Sequence, residues 1–327
     1  MCYTLLSTTR HSLFRSAQRA HDLRRWMSVR PRDTSNLPGV ARKKVTLETL
    51  FSLKANKTPI TMITAYDYPS AIACSSNPLI DIVLVGDSLA QVCLGYASTT
   101  QITLSEMIHH TRAVARGTTH PLLVADMPFG TYMSSNSDAI KNAVRMIQEG
   151  RVEAVKMEGG LEVVETVRRL TDFGIPVMAH VGLKPQRHVA LSGFRIQGKD
   201  TTSAKQVMKE AEALQEAGAF SIVLEGVPKE LGQLVSDRLT IPTIGIGAGP
   251  STDGQVLVWD DIMGTWSGHK AKFVRRFGNV QAERDSAIQK FGEAVRNRSF
   301  PNDSESYTSD KVEWQSLSSH GSAGPSS

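Results

Sequence analysis

Cysteine is scarce in this chain, with three in 327 residues, at Cys2, Cys74 and Cys93. No two of them have CxxC spacing, which excludes a zinc module of that kind and a disulfide framework and suits a reduced compartment. Long hydrophobic runs are missing too. Nothing approaches the ~20 consecutive apolar residues of a membrane-spanning helix, so the chain reads as soluble, with no membrane partner. No internal period of 20 to 50 residues stands out, which argues against a solenoid.

Charge of one sign is lacking once the first 44 residues are set aside. The formal net charge of +5 suggests nucleic-acid binding only until the charges are located. Residues 1–44 hold ten Lys and Arg against Asp22 and Asp33, leaving 27 basic and 30 acidic residues in the remainder. That remainder is mildly acidic, and no nucleic-acid partner is expected. The first 44 residues combine spaced arginines, serines, scattered leucines and almost no acids, the composition of a mitochondrial presequence, with cleavage expected somewhere beyond Arg25. Leu5, Leu6 and Leu13 can share a helical face from which Arg10, Arg15 and Arg19 are excluded; a basic tail with no address is the alternative. From Ser299 to Ser327 the chain is rich in serine with Gly, Pro and Asn and is expected to be disordered, with Trp314 as the exception. The reading is therefore a leader over 1–44, a catalytic domain over 45–298 and a tail over 299–327.

Within the central part, short apolar runs alternate with helical patterns, the signature of a parallel sheet with crossover helices. The expected strands are Ile60 to Tyr66, Ile82 to Gly86, Leu122 to Ala125, Ala154 to Met157, Val177 to Val181, Ser221 to Leu224, Thr243 to Ile246 and Val256 to Trp259. Eight strands of this kind close a (β/α)₈ barrel, and a doubly wound open sheet is the alternative. Helix starts are expected at Thr103 with Glu106, at Ser137, and at Ser203 with Gln206, and stops at Gly117, Gly150 and Gly218.

Parallel strands bring their C-terminal ends to one face, which in a barrel is the active-site face. The ends here carry Asp67, Asp87 with Ser88, Asp126, Lys156 with Glu158, His180 and Glu225. Buried charges need a metal, a substrate or one another. Asp87, Asp126 and Glu158 are an oxygen-only set suited to Mg²⁺; a helix cap at Asp87, or a structural ring of ion pairs around Lys156, would also account for them. Lys156 and Glu158 are two apart and so point to one side of a strand. Near carboxylates Lys156 stays protonated, which favours holding a substrate carboxylate over Schiff-base chemistry. His180 is either a group that orients substrate or an ordinary hydrogen-bonded histidine. Glu225 follows the apolar run Ile222-Val223-Leu224, an environment that raises a carboxyl pKa toward the range useful for proton transfer. The long link from Gly182 to Gly198 has the length of a lid or binding loop. The loop Gly245 to Gly249 suits either a phosphate or close packing.

Several multi-residue motifs in order then carry a resemblance. Thr64-Ala65-Tyr66-Asp67, Val85-Gly86-Asp87-Ser88-Leu89, His110-Thr111-Arg112-Ala113-Val114, Ala125-Asp126-Met127-Pro128-Phe129, Val155-Lys156-Met157-Glu158-Gly159-Gly160, His180-Val181-Gly182-Leu183, Gln197-Gly198 and Ile244-Gly245-Ile246-Gly247-Ala248-Gly249 resemble the ketopantoate hydroxymethyltransferase (3-methyl-2-oxobutanoate hydroxymethyltransferase) family. The likeness runs from Thr46 to Phe277. It implies a Mg²⁺-dependent barrel enzyme that transfers a hydroxymethyl group from 5,10-methylenetetrahydrofolate to a 2-oxo acid on the way to pantothenate, and a homo-oligomer.

By position, the resemblance makes Asp87 and Asp126 metal ligands, with Glu158 reaching the metal directly or through water. It assigns Ser88 and Lys156 to the substrate carboxylate, Glu225 to the base and His180 to the active site. The chain departs from the family at residues 73–80, which look more irregular than the family's helix, and at Asp260, where the family usually has histidine. Another Mg²⁺-dependent enolate-forming enzyme, a lyase or mutase of the phosphoenolpyruvate mutase/isocitrate lyase type, is the alternative. Some of those lyases use a loop cysteine, and Cys93 is not obviously placed for that role.

Overall fold

The computed structural model describes residues 42–190, 193–268 and 270–309. Residues 1–41, most of the expected leader, and residues 310–327 of the expected tail, with Trp314, lie outside the described residues. The eight strands are β1 (Ile60–Thr64), β2 (Ile82–Val85), β3 (Leu122–Asp126), β4 (Ala154–Glu158), β5 (Val177–Gly182), β6 (Ser221–Glu225), β7 (Thr243–Ile246) and β8 (Gly254–Leu257). They form a closed barrel in chain order, and the parallel pairing of β8 with β1 excludes the open doubly wound sheet. The helices are α1 (Leu47–Ala55), α2 (Tyr68–Ser76), α3 (Leu89–Val92), α4 (Leu104–Gly117), α5 (Asn136–Gln148), α6 (Val164–Asp172), α7 (Thr201–Glu216), α8 (Lys229–Arg238), α9 (Trp259–Met263) and α10 (Val280–Arg296).

Strand alternation builds two separate cores. Outward residues such as Val83, Val85, Leu123, Ala125, Val155, Met157, Ala179 and Leu224 pack under the helices. Inward residues fill the barrel, among them Ile60, Met62, Ile82, Leu84, Leu122, Val124, Ala154, Met178, Val223 and Ile244. The inward period then turns from apolar to polar along the strands: Leu122 and Val124 lead to Asp126, Ala154 to Lys156 and Glu158, Met178 to His180, and Val223 to Glu225. The lower barrel is thus a packed plug and the upper barrel a polar rim, the division that places chemistry at the C-terminal face.

The lower face is closed by α1, whose Leu50 joins the inner core. Around it, three acids each accept the first backbone N–H of a strand or its neighbour and pair with a cation. Asp81 accepts from Thr61 N at 2.9 Å beside Arg42, Glu153 from Leu123 N at 2.9 Å beside Lys44, and Asp253 from Thr243 N at 2.8 Å beside Lys54.

Element boundaries shift where pairing or capping overrides apolarity. Strands β3 to β6 run one residue further than expected, because Asp126, Glu158, Gly182 and Glu225 remain in the ladder. Strand β8 begins at Gly254 and ends at Leu257, two residues before the expected span at each end. Gly254 pairs with Ile60, and a Cβ there would collide with the Ile60 carbonyl. Helix α5 is capped by Ser135, not Ser137, and α7 by Asp200, whose carboxylate accepts from Thr202 N and Ser203 N, so Ser203 is the third residue of that helix. The capping box of Thr103 with Glu106 at α4 is present. Residues 73–76 continue α2 as regular helix, started by Asp67 as cap and a proline in the first turn, and the helix ends at Asn77.

Candidate active site

A cavity of about 940 Å³ opens on the C-terminal face. Asp87, Ser88, Asp126, Lys156, Glu158, His180 and Glu225 all line it, with Thr64 and Gly86 from the first two strands. The sequence placed the first seven on five strand ends, and the closed register brings them together; Asp67, expected at the sixth, caps α2 and does not line the cavity. Asp126 is the register partner of Lys156, and Glu158 of His180. Accordingly Lys156 Nζ meets Asp126 Oδ1 at 2.5 Å, with both side chains almost fully buried. The other Asp126 oxygen accepts Asp87 N–H at 3.0 Å, which joins the turn after β2 to the end of β3. Asp87 does not cap a helix. Its side chain accepts from Gln186 Nε2 at 2.8 Å, and the short α3 that follows has no side-chain cap.

Burial and mutual repulsion set the protonation states. Burial, then the Asp126 charge, push Asp87 up to about 7, with Lys156 opposing. Glu158 is raised well above the usual carboxylate range, first by burial and then by Asp87. Burial alone would pull the Lys156 ammonium down, but the charges of Asp126, Glu158 and Asp87 together outweigh it and hold it above its ordinary value. A lysine so held is a fixed cation and a poor Schiff-base nucleophile. His180 is pushed far below its ordinary value by burial and by Lys156, and is therefore neutral. Its Nε2 lies 2.8 Å from the Leu183 carbonyl, an acceptor only, so Nε2 carries the proton and donates. Nδ1 is then a bare acceptor, buried without a hydrogen-bond partner and 3.8 Å from Glu158 Oε1.

Glu225 stands on the opposite wall, its Oε2 3.4 Å from His180 Nε2 and its side chain 17% exposed. Burial, opposed by Lys156 and reinforced by Asp87 and Asp126, pushes its carboxyl up to about 8. It caps no helix, since the cap position of α8 is Pro228, with no side-chain cap.

Three side chains that sequence reading did not count as site residues complete the arrangement. The Tyr66 hydroxyl is 2.8 Å from Ser88 Oγ, which fixes Ser88 at the cavity edge. The Tyr66 motif after β1 was a visible signal for this. Tyr132 and Gln186 meet behind the carboxylates, with Tyr132 donating to Gln186 Oε1 at 2.7 Å; Gln186 lies in the long link read as a lid or binding loop, though nothing singled it out there, and no sequence signal marked Tyr132. In the loop after β7, glycine is required by close packing and backbone conformation. Gly247 has φ of +63° against the Phe273 ring, and Gly249 has φ of +82° with Lys229 in the way of any Cβ. Cys93 caps the end of α3 and does not line the cavity. Asp260 lies on α9 and accepts from the Thr265 hydroxyl at 2.5 Å.

Among the described residues, no group of three His, Cys, Asp or Glu side chains is close enough to hold an ion by protein donors alone. Mg²⁺ does not require such a cage, because it keeps several waters and takes one or two carboxylates plus substrate oxygens. The donor set fits it: Asp87, Asp126 and Glu158 are buried carboxylates lining one cavity, with Lys156 as the cation beside them, and burial followed by neighbouring carboxylate charge raises Asp87 and Glu158.

Comparison with solved structures finds this barrel in a phosphonopyruvate hydrolase determined with oxalate and Mg²⁺ (TM-score 0.52, 15% identity, covering 79% of this chain and 92% of that one). It also finds it in a 2,3-dimethylmalate lyase of the PEP mutase/isocitrate lyase superfamily (TM-score 0.51, 16% identity, covering 84% and 93%). At these identities the likeness is one of fold. Sequence relatives are much nearer. The 3-methyl-2-oxobutanoate hydroxymethyltransferase of Moorella thermoacetica is 47% identical over 266 residues, covering 81% of this chain and 98% of its own. That of Emericella nidulans is 46% identical over 274 residues, covering 83% and 78%. A profile of the ketopantoate hydroxymethyltransferase family matches residues 44–303, so every side chain of the polar rim falls inside the match, and the chain belongs to that family.

Proposed function

We propose that this enzyme transfers a hydroxymethyl group from 5,10-methylenetetrahydrofolate to 3-methyl-2-oxobutanoate, giving 2-dehydropantoate on the route to pantothenate. Family membership supports the reaction, and one observation carries the chemistry. A raised carboxylate, Glu225, faces across one cavity a buried cluster of carboxylates with a fixed ammonium. In this reading Asp87 and Asp126 would hold Mg²⁺, with Glu158 reaching it directly or through water. When bound, the ion acts as a Lewis acid on the keto oxygen and stabilises the enolate charge.

The chain's own groups do the rest. Ser88, held by Tyr66, and Lys156 bind the substrate carboxylate. Glu225 takes the proton from C3. Its carboxyl is raised to about 8, first by burial, with Lys156 opposing and Asp87 and Asp126 adding, which puts it in the range of a group that exchanges protons near neutral pH. His180, neutral and held by its Nε2–H on the Leu183 carbonyl, leaves Nδ1 as a buried acceptor beside Glu158 and sits next to Glu225. The enolate carbon C3 then bonds to the methylene carbon of the folate, both C–N bonds to that carbon break, water supplies the hydroxyl oxygen, and tetrahydrofolate leaves with the protons on its two nitrogens. The lyase or mutase alternative has no observation in its favour, because the structural neighbours share only the fold. A turnover assay with 3-methyl-2-oxobutanoate, with and without methylenetetrahydrofolate, tests the reading. Folate-dependent formation of 2-dehydropantoate supports it, and turnover of other 2-oxo acids but not this one contradicts it.

Two further parts of the reading concern assembly and address. Helix α10 has no buried residue and shows Ile288, Phe291 and Val295, spaced three and four apart, at 64%, 59% and 47% exposure. An apolar stripe of that kind on the last helix of a barrel supports self-association with a second copy. The basic, serine-rich composition of residues 1–44 supports import into the mitochondrial matrix and removal of a presequence.

A further inference from the structure

The turn after β5 reaches back into the carboxylate cluster through one amide. Gln186 lies on a 3₁₀ turn, Pro185–Arg187, and is 4% exposed. Its Nε2 donates to Asp87 Oδ2 at 2.8 Å and to the Met127 carbonyl at 3.0 Å. Its backbone N–H donates to Glu158 Oε2 at 3.0 Å, and its Oε1 accepts from Tyr132 at 2.7 Å. Both side-chain protons, the side-chain carbonyl and the backbone proton are therefore in use. The amide cannot be flipped without setting Oε1 against two acceptors, Asp87 Oδ2 and the Met127 carbonyl. The turn itself is pinned on each flank, by Lys184 with Glu210 at 3.2 Å and by Arg187 with Glu162 at 2.7 Å.

The geometry points to Gln186 as the positioning residue for the cation site. It takes up one oxygen of Asp87, after β2, and one of Glu158, on β4, and so fixes how the two carboxylates are presented to an ion between them. Tyr132 acts through it by fixing the amide's orientation. Donors behind ligating carboxylates restrict their rotation, and their removal typically weakens metal binding by about 10–100-fold. The inference rests on the reading that Asp87 and Asp126 hold a divalent cation with Glu158 beside it. It adds a residue and a loop that the carboxylates alone do not suggest, linking the Gly182 to Gly198 segment to the metal site.

The test uses the full chain without substrate and Mn²⁺ as probe, with free Mn²⁺ followed by electron paramagnetic resonance and folding by near-UV circular dichroism. Gln186→Met keeps the side chain's volume and removes its donors. It is expected to raise the Mn²⁺ Kd by about 10–100-fold with the dichroism unchanged. Tyr132→Phe removes only the hydroxyl and is expected to raise the Kd by a smaller factor. A Kd in Gln186→Met equal to wild type overturns the inference. If Gln186→Met does not fold, Tyr132→Phe decides, and wild-type affinity in that variant overturns it. A wild-type chain without a saturable Mn²⁺ site overturns the metal reading itself, a failure visible before any variant is made.

Discussion

Lys156 Nζ and Asp126 Oδ1 stand 2.5 Å apart on register-paired positions of β3 and β4, with side chains 6% and 5% exposed. The pair is the electrostatic centre of the rim, because Asp87 and Glu158 are also drawn down by the same ammonium. Removing one partner of such a buried pair leaves charge uncompensated and costs about 3–5 kcal/mol. Lys156→Met is therefore expected to lower the urea midpoint of the metal-free protein by a corresponding amount and to abolish substrate binding. Equal midpoints for variant and wild type would show that the pair is incidental.

Cation binding should expel protons at neutral pH. Asp87 is pushed from 3.8 up to about 7, and Glu158 is raised as well, so the metal-free fold holds protons that the unfolded chain has already lost. The native state thus binds more protons than the unfolded state from about pH 4 to about 7. Stability of the metal-free protein falls as pH rises through that window. Cation affinity rises through it, because the ligands must be deprotonated to bind. Calorimetric titration with Mg²⁺ in buffers of different ionisation heat should show proton release that shrinks above about pH 8; buffer-independent heats at pH 6.5 would contradict it.

The lower face should affect stability and leave chemistry alone. Asp253 accepts from Thr243 N and the Thr243 hydroxyl at 2.8 Å each and pairs with Lys54 at 2.7 Å, at the end of the barrel opposite the rim. Asp253→Ala leaves partly buried donors unsatisfied and is expected to cost about 1–3 kcal/mol, with kcat per folded molecule unchanged. Urea denaturation together with active-site titration checks both halves.

The apolar stripe on α10 predicts a change of assembly state. Phe291→Glu, at a position 59% exposed, is expected to lower the mass measured by sedimentation equilibrium and to leave the far-UV spectrum intact. An unchanged mass would remove α10 from the contact.

The fold was legible because the barrel repeats one pattern: an apolar strand, a polar residue at its end, then a helix with its caps. Asp126, Lys156, Glu158, His180 and Glu225 were visible as breaks in that pattern, and the i, i+2 rule put Lys156 and Glu158 on one side. Boundaries were less legible where pairing decides them. Gly254 reads as a breaker in sequence yet lies in β8, because a strand there must approach Ile60 closely. Asp200 was hidden as a cap behind Ser203, which also suits that role. Gln186 and Tyr132 were not legible as site residues. Their contacts span 99 residues to Asp87 and 54 residues between the two, and no local pattern encodes separations of that size.

In the proposed reaction Glu225 removes the C3 proton beside a carboxylate-held cation. The direct measurement is exchange of the C3 hydrogen of 3-methyl-2-oxobutanoate with deuterated solvent, followed by proton NMR without folate. The account predicts exchange in the wild-type chain that requires Mg²⁺. It predicts none above background in Glu225→Gln, which still binds Mn²⁺ with wild-type affinity. Exchange at the wild-type rate in Glu225→Gln would contradict it.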